Sequence, residues 1–115
     1  MSAKPDPEDG VIPAIYVHFI RRIVRIGREH GYAIAVHGSM RRDLDLVAVP
    51  WIDCPAQPES LADAIRRLVT DHHSPLLPPV TKPHGRLAWI IPVGAGLAVD
   101  LSVMPPTSGD EGRAG

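Results

Sequence analysis

The chain has 115 residues, 44% of them hydrophobic and 22% charged, and a formal net charge of -1. These values fit one small globular domain and exclude a strong overall field for capturing nucleic acid or an anionic membrane surface. Thirteen prolines and ten glycines exclude a coiled coil, a helical repeat or any long uninterrupted element.

Residues 1–10 are polar and acidic with two prolines, which reads as a disordered tail rather than a signal peptide. Residues 12–30 predict a first helix. Pro13 suits its first turn, Ile15, Tyr16, Phe19, Ile20, Ile23 and Val24 follow the helical period, and Gly31 stops it. Arg21, Arg22, Arg25 and Arg28 line the other side, a pattern usual for a solvated face. Residues 32–37 predict a buried strand running into Gly38-Ser39, and residues 43–49 a second strand stopped by Pro50.

After a Pro- and Asp-rich loop, Glu59 or Ser60 opens a second helix carrying Leu61, Ala64, Ile65, Leu68 and Val69 at helical spacing. It ends near His72-His73. Residues 74–85 read as a long Pro-rich loop. Residues 86–93 and 97–104 predict two strands joined through Gly94-Ala95-Gly96, with Pro92 at an edge or a bulge. The tail from Pro105 onward reads as disordered, leaving 11–104 as the domain. The α-β-β-α-β-β order predicts an α+β fold, a small mixed sheet with helices on one face. The single cysteine, Cys54, excludes an internal disulfide framework, and no apolar stretch is long enough to span a bilayer. The expectation is a soluble cytoplasmic protein with no membrane role.

The chemistry-bearing segment is His37-Gly38-Ser39-Met40-Arg41-Arg42-Asp43-Leu44-Asp45. Asp43 and Asp45 are two apart on a strand and point to one face. Neighbouring carboxylates repel, and a hard divalent cation such as Mg²⁺ (or Mn²⁺) relieves that repulsion. Asp100 is a lone charge in the apolar strand 97–104, costly there unless paired or bound to metal. If that strand lies beside 43–49, three carboxylates converge. Gly38 and Ser39 offer backbone N–H groups and a hydroxyl to a phosphate, and Arg41 and Arg42 offer guanidinium groups.

This pattern resembles the nucleotidyltransferase superfamily of the DNA polymerase β type. The similarity rests on Val36-His37-Gly38-Ser39, then Asp43-Leu44-Asp45-Leu46, then Val99-Asp100-Leu101. It covers about residues 30–104. By that resemblance Asp43 and Asp45 bind the metals, and Asp100 holds the catalytic metal and orients or deprotonates the attacking hydroxyl. Gly38, Ser39 and Arg42 bind nucleotide phosphates. The implied reaction is transfer of a nucleotidyl group from a nucleoside triphosphate to a hydroxyl, with a two-metal clamp on attacking and leaving oxygens. Three residues separate Ser39 from Asp43, fewer than that family usually has. The size is that of minimal stand-alone members, which often work with a protein partner or as homo-oligomers. A second reading is a catalytically degenerate module of the same fold, acting through nucleotide or protein binding in a mobile-element or toxin–antitoxin setting.

Other residues carry weaker signals. Lys82, His84 and Arg86, around Gly85, are candidate phosphate contacts. His37 reads as a site neighbour or a hydrogen-bonded strand histidine. His72-His73 is a poor zinc pair, because adjacent helical residues point apart. Trp89 reads as core, and Trp51, just after the strand carrying the Asp pair, as a candidate stacking platform for a base. Cys54 has no neighbouring base to activate it. A nucleic-acid partner using Arg21, Arg25 and Arg28 ranks third, given the net charge and the few aromatics.

Overall fold

Apolar alternation and two amphipathic helices build the domain. The computed structural model describes residues 12–70 and 74–106. The expectations for residues 1–10, for His72 and His73, and for 107–115 lie outside the described residues. Helix α1 spans Ala14–Glu29, strand β1 Tyr32–His37, β2 Asp43–Pro50, helix α2 Pro58–Val69, β3 Val80–Thr81, β4 Leu87–Gly94 and β5 Leu97–Val103. The result is a small α+β domain with two helices and a five-stranded mixed sheet in the order β1-β2-β5-β4-β3. β2 and β5 run parallel, and the other neighbours are antiparallel.

The strand periodicity decides which face is covered. Leu44, Leu46 and Ala48 of β2 and Val99, Leu101 and Val103 of β5 are buried, and β2–β5 register puts all six on one face. Tyr16 and Ile23 of α1 and Leu61, Ala62, Ile65 and Val69 of α2 complete that core, with Trp89 and Ile91 of β4. Gly27 permits the close seating of α1: a Cβ there would lie 2.3 Å from the Ile34 side chain. The opposite face of the sheet carries Ala33, Ala35, Val47, Asp43, Asp45, Asp100 and the exposed Val49 and Ile90. Neither helix packs on that face.

Three elements differ from expectation. The Pro-rich stretch 74–85 contains edge strand β3 and a 3-10 turn at Pro83–Gly85, so it is not simply a long loop. A two-residue strand is too short to show alternation, and its flanking prolines mask it. Helix α2 begins at Pro58, whose fixed φ and missing N–H suit the first helical position. Strand β1, expected to be buried, lies at the sheet edge with only Tyr32 buried, whereas the bulge expected at Pro92 is present between Pro92 and Gly94. The β4–β5 turn places Ala95 at φ 56 and Gly96 at φ 77, the left-handed pair of a type I′ hairpin.

Replacing the fully buried Leu44 or Ile65 by Ala should cost about 2–5 kcal/mol in denaturant unfolding. The same change at Val49, on the exposed face, should stay within about 0.5 kcal/mol.

Candidate functional site

Parallel register assembles the site. Asp45 pairs directly with Asp100, and Asp43 with Ala98 two residues back along β5. The three carboxylates therefore share the uncovered face of the two central strands, with Asp43 and Asp45 on β2 and Asp100 on β5. All three are partly buried. The local electrostatics record the crowding. The Asp45 carboxyl is raised above the usual carboxylate range, first by desolvation, then by the negative charge of Asp100, and less by Asp43. The imidazole of His37, opposite Asp45 in the β1–β2 register, pulls the other way.

The turn between β1 and β2 closes over this pair. Gly38 adopts φ 81, and a Cβ there would sit 2.8 Å from Asp45 Oδ2. Only glycine lets the backbone pass so close to the carboxylate in that conformation. The Arg41 N–H donates to Ser39 Oγ at 3.3 Å, so the hydroxyl oxygen organises the turn and keeps its own proton to donate. Met40 is held at φ 62, with its side chain half-buried against the core. The Arg42 side chain is exposed.

Tyr16 fastens the site from behind. Its hydroxyl donates to the Arg42 carbonyl and accepts the Ala98 N–H at 3.2 Å, with the Ala98 carbonyl at 3.1 Å. One phenol on α1 thus ties the start of β2 to the start of β5, the two segments that carry Asp43 and Asp100. Burial raises the Tyr16 pKa, and the charges of Asp43 and Asp45 raise it further. The sequence pattern marks Tyr16 only as an apolar helical position. An aromatic with a polar tip in a small core is the signal that points to a buried partner.

The remaining candidates divide. Arg86 reaches the same face and donates from Nη1 to Ser102 Oγ at 3.3 Å; Ser102 lies two residues beyond Asp100. Lys82 and His84 lie next to Arg86 in the turn before β4, where Leu87 pairs with Val103. That is about 10 Å along the strands from the Asp45–Asp100 level and about 16 Å from the Asp43–Ala98 level at 3.3 Å per residue. Cys54 is exposed.

The donor set suits a hard cation: carboxylate oxygens, crowded by register, one of them with a raised pKa that positive charge would relieve. Among the described residues, no group of three His, Cys, Asp or Glu side chains is already drawn together as a metal cage. Also among them, no helix is long and apolar enough to cross a membrane. Comparison with known proteins finds no family model, no curated protein and no solved structure that matches the chain.

Tyr16→Phe should cost about 1–3 kcal/mol, because it leaves the Arg42 carbonyl and the Ala98 N–H short of a partner. Asp45 gives a pH signature of known sign. Its folded pKa exceeds its unfolded one, so the native state holds the extra proton and stability falls as pH rises through that window. In metal-free buffer, Asp45→Asn should remove this decline, raising the melting temperature more at pH 8 than at pH 4.

Proposed function

We propose that the protein is a metal-dependent nucleotidyltransferase of the DNA polymerase β kind, transferring a nucleotidyl group from a nucleoside triphosphate to a hydroxyl. The observation that carries this reading is the in-register opposition of Asp45 and Asp100, with Asp43 on the same face and the Gly38 backbone close against Asp45. Repelling carboxylates aligned by the backbone ladder are suited to hold a divalent cation. Asp43, Asp45 and Asp100 would hold it; bound there, Mg²⁺ supplies charge stabilisation at the attacking and leaving oxygens.

The chain's own groups account for the rest. The backbone N–H groups around Gly38 and the Ser39 hydroxyl bind phosphate oxygens, and the exposed Arg42 guanidinium adds a charged fork. The Asp100 carboxylate orients the acceptor hydroxyl and accepts its proton. A bond forms between that oxygen and the α-phosphorus as the α–β bridging bond breaks, and pyrophosphate leaves. Arg86, on the same face beside Ser102, is a candidate contact for the substrate phosphates.

The short β1–β2 turn favours a second reading, a degenerate module that binds nucleotide or a protein partner without turnover. Met40 directs its side chain into the core and leaves only Arg41 and Arg42 before β2, a small cradle for a triphosphate.

The deciding experiment has two arms. Mg²⁺ with a nucleoside triphosphate at a hundred times its Kd should stabilise the protein by about 2.7 kcal/mol. At about 4–8 °C per kcal/mol for a domain of this size, the melting temperature should rise by more than about 10 °C, and Asp45→Ala should abolish the shift. α-³²P-labelled triphosphates with cell extract should then label an acceptor in an Asp43-dependent manner. A shift without labelling assigns the degenerate reading, and neither result removes the nucleotide site altogether.

A further inference from the structure

The outer face of α1 differs from every other charged surface described. His18, Arg21, Arg22, Arg25 and Arg28 are all exposed and fall within about a third of the helix circumference at 3.6 residues per turn. The arginines of α2 are neutralised: Arg66 and Arg67 both bind Asp63, at 2.9 and 2.6 Å. Among the described residues, none of the four α1 arginines is in an ion pair, and the helix has one acidic residue, Glu29 at its end. A row of uncompensated guanidinium groups in a chain of net charge -1 concentrates positive potential on one strip.

An independent feature lies at the end of that strip. Trp51 is 60% exposed, although it is one of the two largest side chains in the protein. Its backbone N–H donates to the Gly31 carbonyl at 3.1 Å, which fixes the residue just past the C-terminus of α1. Arg28 and Trp51 line one open cavity of about 330 Å³ with Val24, Tyr32, Ala33 and Ile34. Arg28 also belongs to the cavity lined by His18, Arg21, Arg22 and Arg25, so the two surfaces are continuous. The strip from His18 to Arg28 is about 15 Å long at 1.5 Å per residue, and the indole extends it.

We infer that α1 and Trp51 form a binding site for single-stranded nucleic acid, with phosphates on the arginine row and an unpaired base stacked on the exposed indole. A charged row alone attracts any polyanion, whereas an anchored, solvent-facing tryptophan at its end selects a ligand that offers both phosphate and a π-face. Four guanidinium groups can neutralise up to four backbone phosphates, each contributing about -0.7 to the salt slope for a single strand. The site stands on α1 and Trp51 and goes beyond the proposed transfer reaction; it uses neither the carboxylates nor the Gly38 turn.

The test measures anisotropy of fluorescein-labelled oligouridylate and oligothymidylate, each a 12-mer, with the full chain across 50–300 mM salt. Either strand should bind, and the stronger identifies RNA or DNA as the natural class. The slope of log K against log salt should be about -3 for four neutralised phosphates, falling to about -1.5 in Arg21→Ala/Arg25→Ala. Trp51→Ala, at an exposed position, should weaken binding about tenfold while leaving the circular dichroism spectrum unchanged. Asp45→Asn should bind like the wild type, which separates this site from the carboxylate cluster. No binding of either strand at 50 mM salt overturns the inference. So does equal affinity for polyglutamate or for a duplex of the same length, or an unchanged Kd in Trp51→Ala.

Discussion

The parallel ladder between β2 and β5 is the constraint on which the rest of the molecule depends. These strands are neighbours inside the sheet, and their inward residues, Leu44, Leu46, Val99 and Leu101, are all fully buried. Burial there fixes the register, because a slip of one residue would turn Asp100 into the core and a leucine out to solvent. The same register forces Asp45 against Asp100. The domain thus uses apolar packing on one face of its sheet to hold charges in opposition on the other. The raised Asp45 pKa records the unfavourable interaction that the core sustains.

Helix α1 links these two faces of the molecule. Tyr16 and Ile23 point into the core, and Gly27 lets the helix settle directly on β1. The Tyr16 hydroxyl then extends through to the chain segments beside the carboxylates. The outward arginines of the same helix face solvent. One helix therefore positions the carboxylate site from its N-terminal half while presenting a charged row along its length to Trp51. The covered side of the sheet is not inert scaffolding; it controls the geometry of the open side through a single buried hydroxyl.

Much of the fold is legible in the sequence. Both helices and four of the five strands follow from apolar periodicity, and the breaks at Gly31, Gly38 and Pro50 fall where expected. The common face of Asp43 and Asp45 is also legible, because strand geometry is local. The placement of Asp100 beside Asp45 depends on which strands pair, and nothing near either residue encodes that. β3 is hidden by its brevity. Tyr16 and Gly27 look like ordinary helical positions, since their roles arise only when α1 meets the sheet. The Arg28–Trp51 neighbourhood has the same origin: a loop return through the Gly31 carbonyl joins residues that sequence alone keeps separate. Lys82 and His84 precede the strand hairpin bearing Asp100, but β4 enters the sheet at the Val103 end of β5 and spaces them along the strands from Asp100.

The position of β5 has a consequence for how the molecule is made. It is the last of the described strands in chain order yet the middle strand of the sheet, bonded to β2 on one side and β4 on the other. During synthesis the β1–β2 and β3–β4 pairs emerge first, with no ladder between them. Only when residues 97–103 leave the ribosome does a single segment join the two halves, cover Leu44 and Leu46, and deliver the third carboxylate. Such late, long-range pairing is a slow class of folding step. It also makes closure of the sheet and appearance of the carboxylate cluster a single event. A chain cut before residue 97 lacks the strand that joins the two halves, and it lacks the third carboxylate for the same reason.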